Sequence, residues 1–81
     1  MIGDRIRKLR EQRGFSLRQL ARLAKIPHET ISRLENNQQR FPSLPVAIRL
    51  AKTLGVTLDY LAGMYEDDDE EPAYLRRRAV A

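Results

Sequence analysis

Cysteine is absent from this 81-residue chain, and histidine occurs once. The first absence excludes a disulfide framework and any cysteine-based zinc site, and is compatible with a reducing cytoplasm. The second leaves no acid–base or metal-binding constellation, because no set of carboxylates gathers on a folding segment. Catalysis is therefore not expected, and no cofactor is called for. The acidic run at residues 66–71 lacks the loop glycine and ligand spacing of a calcium site. Apolar runs are too short to span a membrane, and Met1 is followed by a charged amphipathic stretch instead of a secretory signal's apolar core. Alternating apolar and polar runs are missing too, so no strand is expected. What is left is one small, soluble, all-α domain, expected in the cytoplasm.

Negative charge is also scarce over most of the length. Residues 1–63 carry twelve Lys and Arg against five Asp and Glu, a balance of +7. Six acids and no base then fill residues 64–75, and Arg76, Arg77 and Arg78 follow. A basic domain whose acids are set apart in a tail is the electrostatic footprint of a polyanion binder. Basic side chains also solubilise helix surfaces, and charge alone does not separate the two readings.

The pattern that decides between them lies at residues 15–37, FSLRQLARLAKIPHETISRLENN. Ser16 is a good N-cap, and Gln19 stands three residues later, where a capping box needs it. Leu17, Leu20, Ala21 and Ala24 then share one face at helical spacing, with Ala21 small enough for a second helix to cross closely. That helix should stop near Ala24, because Pro27 follows and the residue before a proline resists helical ψ. Pro27 suits the cap or first position of the next helix, where its missing N–H costs nothing. Ile31 and Leu34 face inward on that second helix, leaving His28, Glu29, Thr30, Ser32 and Arg33 outside. Two helices at a steep angle, one presenting its N-terminal side chains outward, form the unit that fits a DNA major groove.

Other segments supply support. A first helix is expected over residues 2–13, with Ile2, Ile6 and Leu9 on one side, an Asp4 to Lys8 ion pair, and Gly14 as its terminator. Residues 36–42, NNQQRFP, form a polar loop. Ser43 caps a fourth helix whose expected buried face is Leu44, Ala47, Ile48, Ala51 and Leu54, and Gly55 closes it. Thr57 caps a short fifth helix in which Leu58 and Leu61 close the core. Residues 64–81 read as an acidic and then basic tail. Its acids, Pro72 and trailing arginines have the order of a short helix over 72–79, in which Tyr74 and Leu75 are placed to dock on a partner.

The Leu17, Ala21, Ile31 and Leu34 spacing, the run ISRLEN at 31–36 and the run LGVTLDYL at 54–61 together resemble the Xre family, the DNA-binding domains of Cro and lambda-type phage repressors. The resemblance covers residues 2–63. It implies a compact five-helix repressor-like domain that binds operator DNA as a two-fold homodimer and regulates transcription. It implies base-reading roles for His28, Glu29, Thr30 and Arg33. Phosphate contacts fall to Ser16 and Leu17 through their helix-start amides, to Arg18, and to Asn37, Gln38 and Arg40 in the loop. Arg10 and Glu35 take the places of a partly buried salt bridge that clamps the first helix to the third. Leu44, Val56 and Leu58 lie where the dimer contact is often made.

Two positions depart from the family pattern. Lys25 stands where the turn usually has Gly with positive φ, at a cost on the order of 1–2 kcal/mol unless the turn is reshaped. Leu17 stands where phage repressors often place Gln, so one DNA contact is missing. A rival reading keeps the fold and changes the function. Antitoxins and adaptors of this fold bind another protein, and Tyr74, Leu75 and the arginines of the tail are the features that favour such a role.

Overall fold

A computed structural model describes residues 2–63, in the order α1 (Ile2–Gln12), α2 (Leu17–Ala24), α3 (His28–Glu35), α4 (Leu44–Leu54) and α5 (Leu58–Leu61). The expected helix over 72–79, with Tyr74 and Leu75, lies outside the described residues. Five helices and no strand among the described residues match the all-α expectation. Caps form where the sequence placed them. Ser16 Oγ accepts from the Gln19 amide at 3.1 Å, and Gln19 Oε1 accepts from the Ser16 amide at 2.7 Å. Ser43 and Thr57 cap α4 and α5 in the same way, each accepting from the amide three residues on.

Four helices end by one device. The residue after the last turn adopts a left-handed conformation, and its amide and the next one turn back to carbonyls of the final turn. Gly14, Lys25, Asn37 and Gly55 hold these positions, with φ of 73°, 59°, 60° and 74°. At the second of them, the Ile26 amide reaches Ala21 O at 3.0 Å. The turn between α2 and α3 therefore keeps the glycine-type geometry although a lysine occupies it. Arg49 Nη1 donates to the Lys25 carbonyl at 3.3 Å, tying the strained turn to α4.

The core is formed where α1 packs on α3, α4 and α5, and α2 packs on α3 and α4. Ile6, Leu20, Ile31, Leu34, Leu50 and Leu61 are fully buried within it. Two expectations need correction. The spacing places Leu44 and Ile48 on the buried face of α4, yet they are 62% and 40% exposed, and Leu50 is buried in their place. Position 50 completes the stripe Ala47, Leu50, Ala51, Leu54 at three- and four-residue spacing, whereas 44 and 48 lie on the adjacent, outward row. Tyr60, not Leu58, is the second core residue of α5. Its ring is 2% exposed and lies beneath the Arg5 guanidinium, 4.8 Å from the ring centre.

Gly3 permits the closest helix contact. A Cβ there would stand 1.8 Å from the Leu34 carbonyl oxygen, which is backbone and cannot swing aside. Gly3→Ala should therefore push α1 away from α3 and cost about 1–3 kcal/mol, the usual range for overpacking. Urea unfolding of the full chain measures this; an unchanged midpoint would show that the two helices separate without loss.

Candidate nucleic-acid interface

The outward surface begins with α3. Ile31, Leu34 and Glu35 are buried, which fixes the rotation of the helix and leaves His28, Glu29, Thr30 and Arg33 on the outer side of its axis. Glu29 and Arg33 are exposed, and His28 and Thr30 are half-buried. The His28 imidazole Nδ1 lies 3.6 Å from Glu29 Oε1, so the two first-turn side chains lean together. Arg33 Nη2 reaches towards Thr30 Oγ1 at 3.5 Å, one turn along the same face. Pro27 is the N-cap and supplies no side-chain cap, so the first amides of α3 keep the partial positive charge of a helix start.

Beside this row runs a shallow basic groove of about 430 Å³. Arg18, Arg22, Lys25 and His28 line it, with Ala21, Ile26 and Pro27 at its floor and edge. Arg18, Arg22 and Lys25 stand at i, i+4 and i+7, one row along α2 and into its terminator. Of these four, Arg18 and His28 are expected from the sequence; the helical repeat of the cations is the signal that points to Arg22 and Lys25. The Ser16 amide, expected to meet a phosphate, donates instead to Gln19 Oε1 within the capping box, and the Leu17 side chain packs against the core. At the start of α2, then, the backbone amides of Leu17 and Arg18 are the groups suited to a phosphate.

The loop after α3 brings Asn37, Gln38 and Arg40 to the surface. Asn37 is also structural, because its left-handed conformation lets the Gln38 amide cap Arg33 O at 2.9 Å. The Arg40 guanidinium lies 5.7 Å from the centre of the exposed Phe41 ring. On α4, Leu44 and Ile48 form an exposed apolar pair, while Val56 and Leu58 are half-buried. Among the described residues no three His, Cys, Asp or Glu side chains come together as a metal site. None of the described helices is long and apolar enough to cross a membrane.

What holds α3 in this pose is a charged clamp. Arg10 Nε donates to Glu35 Oε2 at 2.7 Å and Nη2 to Oε1 at 3.0 Å, a two-pronged pair. The third arm, Nη1, donates to Phe15 O at 2.9 Å, which draws in the start of α2. Glu35 is 2% exposed at its side chain and Arg10 14%. Its pairing raises the Arg10 pKa, chiefly through the hydrogen bond to Glu35 and against the opposing cost of burial. Arg7 was not anticipated. It reaches Glu35 Oε1 at 3.3 Å and Asn36 Oδ1 at 3.1 Å, and its position three residues before Arg10 on α1 was the available signal.

A helix-turn-helix family model matches residues 6–61. Among characterised relatives, the HTH-type transcriptional regulator SinR of Bacillus licheniformis is 34% identical over 71 residues, covering 88% of this chain and 62% of that protein. SinR of Bacillus subtilis strain 168 is 32% identical over 74 residues, 91% of this chain and 63% of the relative. The chain thus spans under two thirds of the length of these relatives. A crystal structure of SinR, described as the master regulator for biofilm formation, in complex with DNA superposes with a TM-score of 0.74. It is 34% identical and covers 76% of this chain and 98% of that one. A SinR–SinI protein complex gives 0.76 at 28% identity, covering 98% and 75%.

Breaking the clamp from one side leaves a buried charge without its partner, at a typical cost of 3–5 kcal/mol. Arg10→Met should cost about 3 kcal/mol, because Arg7 retains a hold on Glu35. Removing both charges in Arg10→Met/Glu35→Leu should cost clearly less than the sum of the two single changes. Strict additivity in denaturant unfolding would show that the side chains do not act as one unit.

Proposed function

The chain belongs to the Xre-type helix-turn-helix family, and on that premise we propose that it is a transcriptional regulator that binds double-stranded DNA and reads the major groove with α3. The observation that carries this is the division of α3. Its inner side is locked by Ile31, Leu34 and the Glu35 clamp, and its outer side offers His28, Glu29, Thr30 and Arg33 next to a row of cations. The likeness to a regulator solved with DNA supports the reading.

Roles follow from chemistry. His28 donates to guanine or accepts from adenine. Glu29 repels phosphate but accepts from cytosine N4, so its contact specifies sequence. Thr30 bonds phosphate or packs its methyl on thymine, and Arg33 pairs with guanine or clamps phosphate. Arg18, Arg22 and Lys25, with the Leu17 and Arg18 amides and the loop residues Asn37, Gln38 and Arg40, anchor the backbone without reading sequence. A single domain makes few base contacts. Two copies, joined through Leu44 and Ile48 with Val56 and Leu58 alongside, would set two α3 helices about 34 Å apart on one face of the DNA and act as a repressor at a palindromic operator. A second protein is a further partner class, since one structural neighbour was solved as a complex with another protein. The tail residues Tyr74 and Leu75 are the candidates for that contact.

The test combines salt dependence with sequence selection. Arg18→Ala should weaken binding to all duplexes alike and lower the log–log salt slope by about one unit, whereas Glu29→Gln should change the base preferred within selected sites. Selection from a random duplex pool reads the second effect. A shifted sequence preference in Arg18→Ala, or no enrichment by the unaltered chain, would overturn the assignment.

A further inference from the structure

The turn between α2 and α3 holds a lysine where glycine would fit better. Lys25 has φ 59° and ψ 48°, in the left-handed region where a Cβ crowds the following carbonyl oxygen. Gly14 and Gly55 close α1 and α4 at φ of 73° and 74° without that crowding. The hydrogen bonds of the turn are ones a glycine would also make. The Lys25 amide reaches Arg22 O at 3.3 Å, and the Ile26 amide reaches Ala21 O at 3.0 Å. Arg49 bonds only the Lys25 carbonyl, which any residue supplies. The side chain of Lys25 therefore adds nothing to the closure of this turn.

What it adds is a charge in the basic groove. The row Arg18, Arg22 runs out where α2 ends at Ala24. Beyond it Ile26 is buried at 4% exposure and Pro27 is the N-cap of α3. Position 25 is thus the place in the turn that can carry the cations on towards His28, and Lys25 lines the groove beside it. Among the described residues, no carboxylate pairs with Arg18, Arg22 or Lys25. Two costs therefore coincide in the free protein, a strained backbone and a set of like charges close together. An anion in the groove relieves the second.

We propose that Lys25 binds a duplex phosphate from a conformation that lowers the stability of the fold, so that stability and DNA affinity oppose each other at this turn. This role rests on the DNA reading above and narrows it. An ammonium is a compact charge on a flexible stem, and it meets a phosphate oxygen without the fixed fork of an arginine. Lys25 stands three residues before His28. Its contact therefore holds the sugar-phosphate backbone next to the bases met by the first turn of α3, and carries no sequence information itself. A glycine at this position relaxes the turn and ends the row at Arg22.

Four variants of the full chain test this: Lys25→Gly, Lys25→Ala, Lys25→Arg and, for an exposed cation outside the groove, Lys52→Ala. Strain is read between the first two, which both lack the charge. Lys25→Gly should melt about 4 °C above Lys25→Ala, the strain relieved being larger than the extra chain entropy a glycine loses. Charge is read on a duplex enriched by selection with the unaltered chain. Lys25→Gly and Lys25→Ala should each lower the log–log salt slope by about one unit, Lys25→Arg should keep it, and Lys52→Ala should lower it less. Equal melting of the glycine and alanine variants would overturn the strain. An unchanged slope in both, or an equal drop in Lys52→Ala, would overturn the contact. If the unaltered chain enriches no duplex, the DNA reading falls and this role with it, whereas duplex binding indifferent to Lys25 removes this role alone.

Discussion

The Arg10–Glu35 pair is the contact on which the remaining geometry depends. It joins three segments at once: α1 through Arg10, the end of α3 through Glu35, and the loop into α2 through the Phe15 carbonyl. Burial makes the pair selective. A carboxylate with 2% of its side chain exposed tolerates one arrangement of donors, and the two-pronged geometry supplies it. Arg7 adds a third donor, so the charge of Glu35 is more than matched. No buried side-chain nitrogen or oxygen among the described residues is left without a partner.

Around that clamp the helices are short, and their ends matter as much as their faces. Three of them start at a hydroxyl cap, and four stop at a left-handed residue that turns the chain after one more peptide. Arginines then secure several of these ends to distant segments. Arg13 Nε donates to the last carbonyl of α4, Leu54 O, at 2.8 Å, and Arg49 does the same for Lys25 in the turn. Part of the basic excess is therefore structural. Of the remainder, Arg18, Arg22, Lys25, Arg33 and Arg40 face outward on α2, on α3 and in the segments that follow them, and Lys52 is exposed at the end of α4.

Local rules made much of this legible. The Ser16–Gln19 box, the Pro27 start of α3, the Gly14 and Gly55 ends, and the inward Ile31 and Leu34 all follow from side chains within four residues of one another. What escaped the sequence depends on tertiary contact. Leu44 and Ile48 have the hydrophobicity of core residues and a helical spacing, and only the packing of α4 on α2, α5 and α1 decides that Leu50 is the one covered. Nothing local to Tyr60 marks it as core, and its burial comes from the helices that pack on α5 and from Arg5 over its ring. Gly3 has no signal in one sequence, because the carbonyl that excludes a Cβ belongs to Leu34, thirty-one residues away. At Lys25 the local rule called for a glycine, and the lysine accepts the strained conformation, with Arg49 on its carbonyl.

The proposed function follows from placing an outward row of polar side chains on a helix that cannot rotate. The absence of cysteine from the chain makes the decisive measurement direct, because a single cysteine introduced at Glu29 can carry a DNA-cleaving probe at one defined place. On a duplex enriched by selection with the labelled chain itself, cuts from that position should cluster at the centres of two half-sites one helical turn apart. The same probe on a cysteine at Lys52, on the exposed end of α4, should leave the half-site centres uncut. Diffuse cutting from position 29, or focused half-site cutting from position 52, would contradict major-groove reading by α3.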